Sequence, residues 1–221
     1  MAEKTVEEMV KKGKVVKVEK EAESKEERED RGEKVKKWKG KDWFTILTPK
    51  MFGETLLAET PATDPNSIIG RNVEVSVAEI MDNPNKYYMK LKFRLDSMDG
   101  KKIYTRFNGF SVLREYIIRS VRKGAEKVYG IGEFETKDGW KLQISTVTIL
   151  NRASDLNIQK KVRKMIQEYL AEDSKKSTID DFVKNVVEGV YQKHLRKTGN
   201  KIYPIRFMEI EKIEVMKAPA S

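Results

Sequence analysis

The sequence predicts an α+β fold: a twisted antiparallel sheet closing toward a β-barrel with one inserted helix, followed by a helix-helix-strand C-terminal part. Three observations predict it. Short segments of period-two alternation recur between turn signals from residue 41 to residue 150. After Gly109 one stretch changes to helical spacing. Beyond residue 151, two apolar stripes at helical spacing precede a last alternating run. Alternating strands with one polar face and short turns suit an antiparallel sheet better than a parallel one. The predicted organisation is a flexible charged tail over 1–41, a barrel-like domain over 42–150, and a C-terminal region over 151–221 packed on it.

Residues 1–41 hold 14 Lys/Arg and 11 Asp/Glu, with Val6, Met9, Val10, Val15, Val16, Val18 and Val35 scattered among them. Such a composition buries too little apolar surface to fold alone. We expect a tail with a helical start and a short extended piece at 14–18, acting as an arm that orders on RNA or a neighbouring protein.

Ordered structure is expected from an aromatic-rich strand over 41–47, ended by Thr48-Pro49, with a short strand at 55–59 before a Pro-rich loop. A strand over 71–80 alternates Val73, Val75 and Val77 on one face, and Asn83-Pro84-Asn85 turns the chain.

Residues 86–123 organise the rest. Met89, Leu91, Phe93 and Leu95 alternate with Lys90, Lys92 and Arg94, which separates an apolar face from a cationic one. Asp96 to Gly100 supplies the turn, and a second strand over 101–110 follows. Ser111 then reads as the N-cap of a helix over 112–123, closed by Gly124, with Leu113, Ile117 and Val121 on its apolar side. This stretch carries 11 Lys/Arg against three acids, a local balance of +8. Like charges on facing strands repel, so a face and helix this cationic call for a polyanion.

Two more strands, over 127–136 and 140–150, complete the predicted sheet around the turn Lys137-Asp138-Gly139. A helix over 157–170 sets Val162, Met165, Ile166, Tyr169 and Leu170 opposite Lys160, Lys161, Arg163 and Lys164. Another starts at Ser177-Thr178, carries the stripe from Ile179 to Val190, and is stopped by Thr198-Gly199-Asn200. A final strand over 202–216 slips phase near Glu211, the mark of a bulge.

The whole chain has 221 residues, 36% of them charged, a formal net charge of +10 and no cysteine. Net positive charge of this size points to nucleic acid or an anionic surface. No apolar run is long enough to span a membrane and no signal-peptide pattern opens the chain, so no membrane partner and a cytoplasmic setting are expected. Catalytic chemistry finds little support. Gly130-Ile131-Gly132 lies within a strand pattern and reads as a bulge rather than a phosphate loop. The single histidine, His194, sits at a basic helix end, and without Cys the usual zinc and nucleophile–His sites have no parts. Adjacent Asp180 and Asp181 do not face each other on a helix and read as N-terminal capping. Asp96 and Asp99 belong to a hairpin turn rather than a cation loop. The expectation is no enzyme, no cofactor, no metal and no small-molecule substrate. Of Trp43, Tyr87, Tyr88, Tyr104 and Phe110, one or two at most should meet bases, since strand aromatics are mostly core. Contacts to phosphates of folded RNA are therefore expected to outweigh sequence readout.

Several runs together resemble a known family. Lys41-Asp42-Trp43-Phe44 with Pro49-Lys50-Met51-Phe52-Gly53, then Gly70-Arg71-Asn72-Val73-Glu74-Val75-Ser76-Val77, are similar to the opening of the archaeal and eukaryotic small-subunit ribosomal protein family S-three-a-e, also called e-S-one. Phe107-Asn108-Gly109-Phe110 with Arg114, and Ile202-Tyr203-Pro204-Ile205-Arg206, resemble its strand-to-helix junction and closing strand. The resemblance runs in order from about residue 41 to 217. It implies a structural constituent of the small ribosomal subunit, bound to folded rRNA on the platform near the mRNA exit. Small-subunit rRNA, neighbouring platform ribosomal proteins and mRNA near its exit are the implied partners. The alternative is a free-standing RNA-binding regulator or RNA chaperone. The expected RNA-binding residues are Lys50, Arg71, Lys90, Lys92, Arg94, Arg106, Asn108, Arg114, Arg119, Arg122, Lys123, Arg152, Lys160, Lys161, Arg163 and Lys164.

Overall fold

Two long strands, β4 (Met89–Asp99) and β5 (Lys102–Val112), form the hairpin from which the sheet is built. Met89, Leu91, Phe93 and Leu95 are buried on β4, and Ile103, Phe107 and Phe110 on β5, so the period-two alternation becomes one face of the core. The structure is a computed structural model that describes residues 40–219. The tail expected over 1–41, with its helical start and extended piece at 14–18, lies outside the described residues apart from residues 40 and 41.

The described residues divide into two units. The smaller comprises 40–44 and 60–68. It holds the start of β1 (Asp42–Leu47), the end of β2 (Leu56–Ala62) and a 3-10 turn at Pro65–Ser67, where Ser67 Oγ donates to Asp64 O at 2.7 Å.

The larger unit comprises 45–59 and 69–219. Its strands, with β3 (Asn72–Ser76), β6 (Glu126–Glu135), β7 (Lys141–Leu150) and β8 (Ile205–Lys217), belong to an open eight-stranded sheet of order β2-β1-β5-β8-β7-β6, with β4 beside β5 and β3 beside β4. β5 is the branch point. One of its edges pairs with β4 along its length, while the other meets β1 at Ile103 and β8 at Phe110. The β1–β5 contact is parallel, a departure from the all-antiparallel expectation. It follows from order along the chain: β2, β3 and β4 intervene, so no hairpin turn dictates the direction. Thr105 Oγ donates to Leu47 O at 2.8 Å and fixes this contact. At Gly109 an added Cβ would lie 2.7 Å from Ile213 O, so the β5–β8 approach needs glycine there.

The expected bulge near Glu211 is present: Ser145 pairs with Lys212 and Thr146 with Ile210, leaving Glu211 as the extra residue. Other boundaries move. The strand expected over 71–80 stops at Ser76, whose hydroxyl caps α1 (Val77–Met81) by accepting from Ala78 N at 3.2 Å. Ser111 is not an N-cap. Its backbone pairs with both Lys90 and Lys212, the ladder holds through Val112, and the helix shortens to α2 (Arg114–Arg119).

α3 (Leu156–Ser174) buries Val162, Ile166 and Leu170. The helix expected from Ile179 to Gly199 is two, α4 (Ile179–Glu188) and α5 (Val190–Gly199), broken where Gly189 takes φ of 80°. At the start of α4, Thr178 Oγ accepts from Asp181 N at 3.3 Å, and the same hydroxyl donates to Asp181 Oδ2 at 2.8 Å. Asp181 therefore has the capping role its position implied.

Candidate nucleic-acid interface

The polar face of the hairpin acquires neighbours that its own sequence does not show. Register places Glu74 of β3 beside Lys92, and Gly109 of β5 next to Glu214 of β8. Lys92 Nζ lies 2.7 Å from Glu74 Oε1, Arg106 Nη2 3.7 Å from Asp96 Oδ1, and Lys212 Nζ 2.5 Å from Glu214 Oε1. The hydrogen bond from Lys92 holds the Glu74 carboxyl below the usual carboxylate range. Asn108 is the bulge residue of β5, and its Nδ2 donates to Asn72 Oδ1 at 3.1 Å. Asn72, Asn108 and the Lys92–Glu74 and Lys212–Glu214 pairs line a hollow of about 510 Å³, with Arg106 and Asp96 outside it. Its centre is balanced rather than cationic.

Further cations flank that centre. Lys90 is half-buried between Ser76 and Ser111, and exposed Arg94 stands beside Arg106. Arg71 is exposed just ahead of β3, and its carbonyl accepts from Leu95 N at 2.9 Å. Lys50 is exposed on the 3-10 turn Lys50–Phe52. Arg114, Arg119, Arg122 and Lys123 are all exposed on α2 and the turn after it. Arg119 Nη1 donates to the Tyr87 hydroxyl at 3.4 Å. Arg152 is exposed between β7 and α3.

The basic side of α3 divides by contact. Lys160 and Lys161 are exposed, and Lys164 pairs with Glu168 at 3.7 Å. Arg163 turns inward instead: its Nε donates to Tyr129 O at 2.8 Å. Gln167 Nε2 likewise donates to Ile131 O at 3.0 Å, and Gln159 Nε2 to Glu126 Oε1 at 2.7 Å. Residues 159, 163 and 167 are spaced four apart, so they form one seam along the helix. Arg163 and Gln167 thereby supply donors to the outer edge of β6, which among the described residues pairs only with β7.

Aromatic placement separates core from surface. Phe110 is buried, whereas Trp43 is 60% and Tyr87 54% exposed. Tyr88 stacks on Tyr116 with ring centroids 3.6 Å apart. His194 stacks on Tyr169 at 4.5 Å, a contact its position at a helix end did not reveal.

Sequence reasoning passed over one titratable group altogether. Glu209 of β8 is buried under α5, where it accepts from Gln192 Nε2 at 2.8 Å. Burial raises its carboxyl to about 7, against a smaller opposing effect of that hydrogen bond. The sole signal available in the sequence is its apolar setting, Phe207-Met208 before it and Ile210 after it. Among the described residues no cluster of His, Asp or Glu has a metal-holding arrangement, and no helix is long and apolar enough to cross a membrane.

Comparison with known proteins supplies the wider context. The ribosomal S3Ae family matches residues 29–219. A small ribosomal subunit protein eS1 of Methanopyrus kandleri is 34% identical over 187 residues, covering 83% of this chain and 89% of that protein. The eS1 proteins of Methanothermobacter thermautotrophicus and Pyrobaculum islandicum are 36% and 37% identical, covering 94% and 82% of their own lengths and 83% and 82% of this chain.

Proposed function

The chain belongs to the ribosomal S3Ae family, and from that premise we propose that it binds folded small-subunit rRNA on the platform near the mRNA exit. A structural role in the small ribosomal subunit, in translation, accords with the relatives that carry the name small ribosomal subunit protein eS1. The observation that carries the reading is the extent of that match, which spans residues 29–219 rather than one motif. The distribution of charge supports an architectural rather than a catalytic part. Exposed cations are spread over α2, the turn at Arg122 and Lys123, Arg152 and the outer side of α3, not gathered in one cleft. Such a layout suits phosphates presented on a broad folded surface, and phosphate contacts position without reading sequence.

In this reading Arg114, Arg119, Arg122, Lys123, Lys160 and Lys161 make the main phosphate contacts. Lys90, Arg94, Arg71, Lys50 and Arg152 extend the surface. Lys92, Arg106 and Lys164 reach RNA only by giving up their acidic neighbours, while Asn108 and Arg163 hold the fold. Neighbouring platform proteins and mRNA near its exit complete the surroundings, in a cytoplasmic ribosome. The test is co-sedimentation with small subunits through a high-salt wash. An integral constituent stays with the particle. Release into the supernatant at moderate salt would instead favour a free-standing RNA-binding regulator or chaperone.

A further inference from the structure

Where α5 crosses β8, a cavity of about 340 Å³ opens beside Tyr88 and Tyr116. The side chains at its floor, Glu209 and Gln192, are each more than nine-tenths buried. Gln192 Nε2 commits both hydrogens, one to Val186 O at 3.0 Å and one to Glu209 Oε1 at 2.8 Å. Its Oε1 is left a buried acceptor without a partner, an arrangement that costs stability unless something supplies a donor. Tyr88 and Tyr116 stack, and Phe207 meets Tyr116 edge-on at 5.7 Å, which gives the cavity an aromatic wall. Lys86, Lys193 and Arg196 stand around its mouth, with Glu188 the lone acid there.

A carboxylate floor beneath aromatic rings takes a ligand that is flat or apolar in body and carries N–H donors. Two classes of macromolecule offer that: a protein through an arginine or lysine side chain, and RNA through a base. The mouth decides between them. Its cations outnumber the acid, so they repel an entering cationic side chain and attract a group that arrives between phosphates. We propose that this cavity receives one unstacked base of a bound RNA, with Glu209 accepting from its Watson–Crick edge while Lys86, Lys193 and Arg196 hold the adjoining phosphates. The proposal rests on the RNA-binding role argued above and adds a point of base recognition to it. Guanine fits best, because N1–H and the 2-amino group are neighbouring donors that one carboxylate engages together, whereas the other bases lack that pair.

The experiment titrates the full chain with labelled oligouridine strands in which a central residue is left unchanged or replaced by guanosine, adenosine, cytidine or inosine. The guanosine strand is expected to bind about tenfold tighter than plain oligouridine. Inosine, which keeps N1–H and loses the 2-amino group, falls between. In Glu209→Gln the preference disappears and every strand binds as oligouridine does. In Lys193→Gln with Arg196→Gln, at exposed positions, all strands weaken alike and the preference survives.

Equal binding of all the strands by the parent protein overturns the proposal without recourse to any variant, and so does a preference retained in Glu209→Gln. An arginine-bearing peptide that binds the parent, fails to bind Glu209→Gln and leaves RNA affinity untouched overturns it in favour of a protein partner. None of these results touches the ribosomal role, which stands or falls on retention by small subunits after the salt wash.

Discussion

The hollow on the polar face of β3, β4, β5 and β8 and the junction of α5 with β8 use carboxylates in opposite ways. On the polar face, Glu74 sits in water beside Lys92, and its carboxyl is held low by that partner. At the junction, Glu209 is withdrawn from water, has an uncharged partner in Gln192, and is raised to about 7. The first acid cancels a nearby cation. The second is poised between charged and neutral. Both come from strands outside the stretch 86–123, so the local balance of +8 contains neither. The electrostatic face this protein presents is therefore decided as much by the placement of acids as by the number of cations.

Four measurements test this contrast between the two acids. The largest effect should be the pH dependence of stability that Glu209 creates. Its folded carboxyl is raised from 4.5 to about 7, so between those values the folded state binds more protons than the unfolded one. Stability from this group is then full below about 4.5, falls as pH rises through the window, and levels off above about 7. The total is on the order of 3 kcal/mol. Urea denaturation from about pH 4.5 to 8 should show the fall in the parent and its loss in Glu209→Gln.

Next comes RNA affinity. Replacing Arg114, Arg122 and Lys123 with Gln should reduce the slope of log K against log salt by about 0.7 for each phosphate that is no longer neutralised. The same change at Lys92 and Arg106 should reduce it less per residue replaced, because both already have acidic partners. Equal reductions per residue from the two sets, measured on one rRNA fragment, would erase the distinction between the balanced centre and its flanks.

Arg163→Gln should cost about 0.5 to 1.5 kcal/mol, since it removes the donor to Tyr129 O on the outer edge of β6. Lys160→Gln with Lys161→Gln, at exposed positions of the same helix, should leave the denaturation midpoint nearly unchanged. The smallest effect belongs to Glu74→Gln. Its partner Lys92 is well solvated, and exposed pairs contribute only about 0 to 1 kcal/mol. A larger loss, seen by thermal denaturation, would mean that the polar face is held together by charge after all.

What the sequence made legible follows the range of each interaction. The alternation from Met89 to Leu95 and the slipped phase at Glu211 are one-dimensional signals, and each reappears as burial or as a bulge. The helix start assigned to Ser111 failed because two strands from elsewhere in the chain claim its backbone, and ladder pairing overrode a good capping residue. The break at Gly189 hid within a continuous apolar stripe, where one glycine could equally have continued the helix. Arg163 looked like one more basic side chain. Only the register of α3 against β6 shows that it serves the fold. Glu209 had only its apolar neighbours to mark it, and its burial under α5 is set by packing between separate elements.

The order of the strands has a consequence for synthesis. Of the eight strands in the described residues β8 is the last to be made, yet it lies between β5 and β7 in the finished sheet. Until residues 205–217 are released, the β5 edge at Phe110, which later pairs with Ile213, and the full edge of β7 are open to any passing strand. A nascent chain can complete the β4–β5 and β6–β7 hairpins early, but not join them. Joining waits for β8, so the last of these strands to emerge is the one that closes the open edges of β5 and β7 to wrong partners.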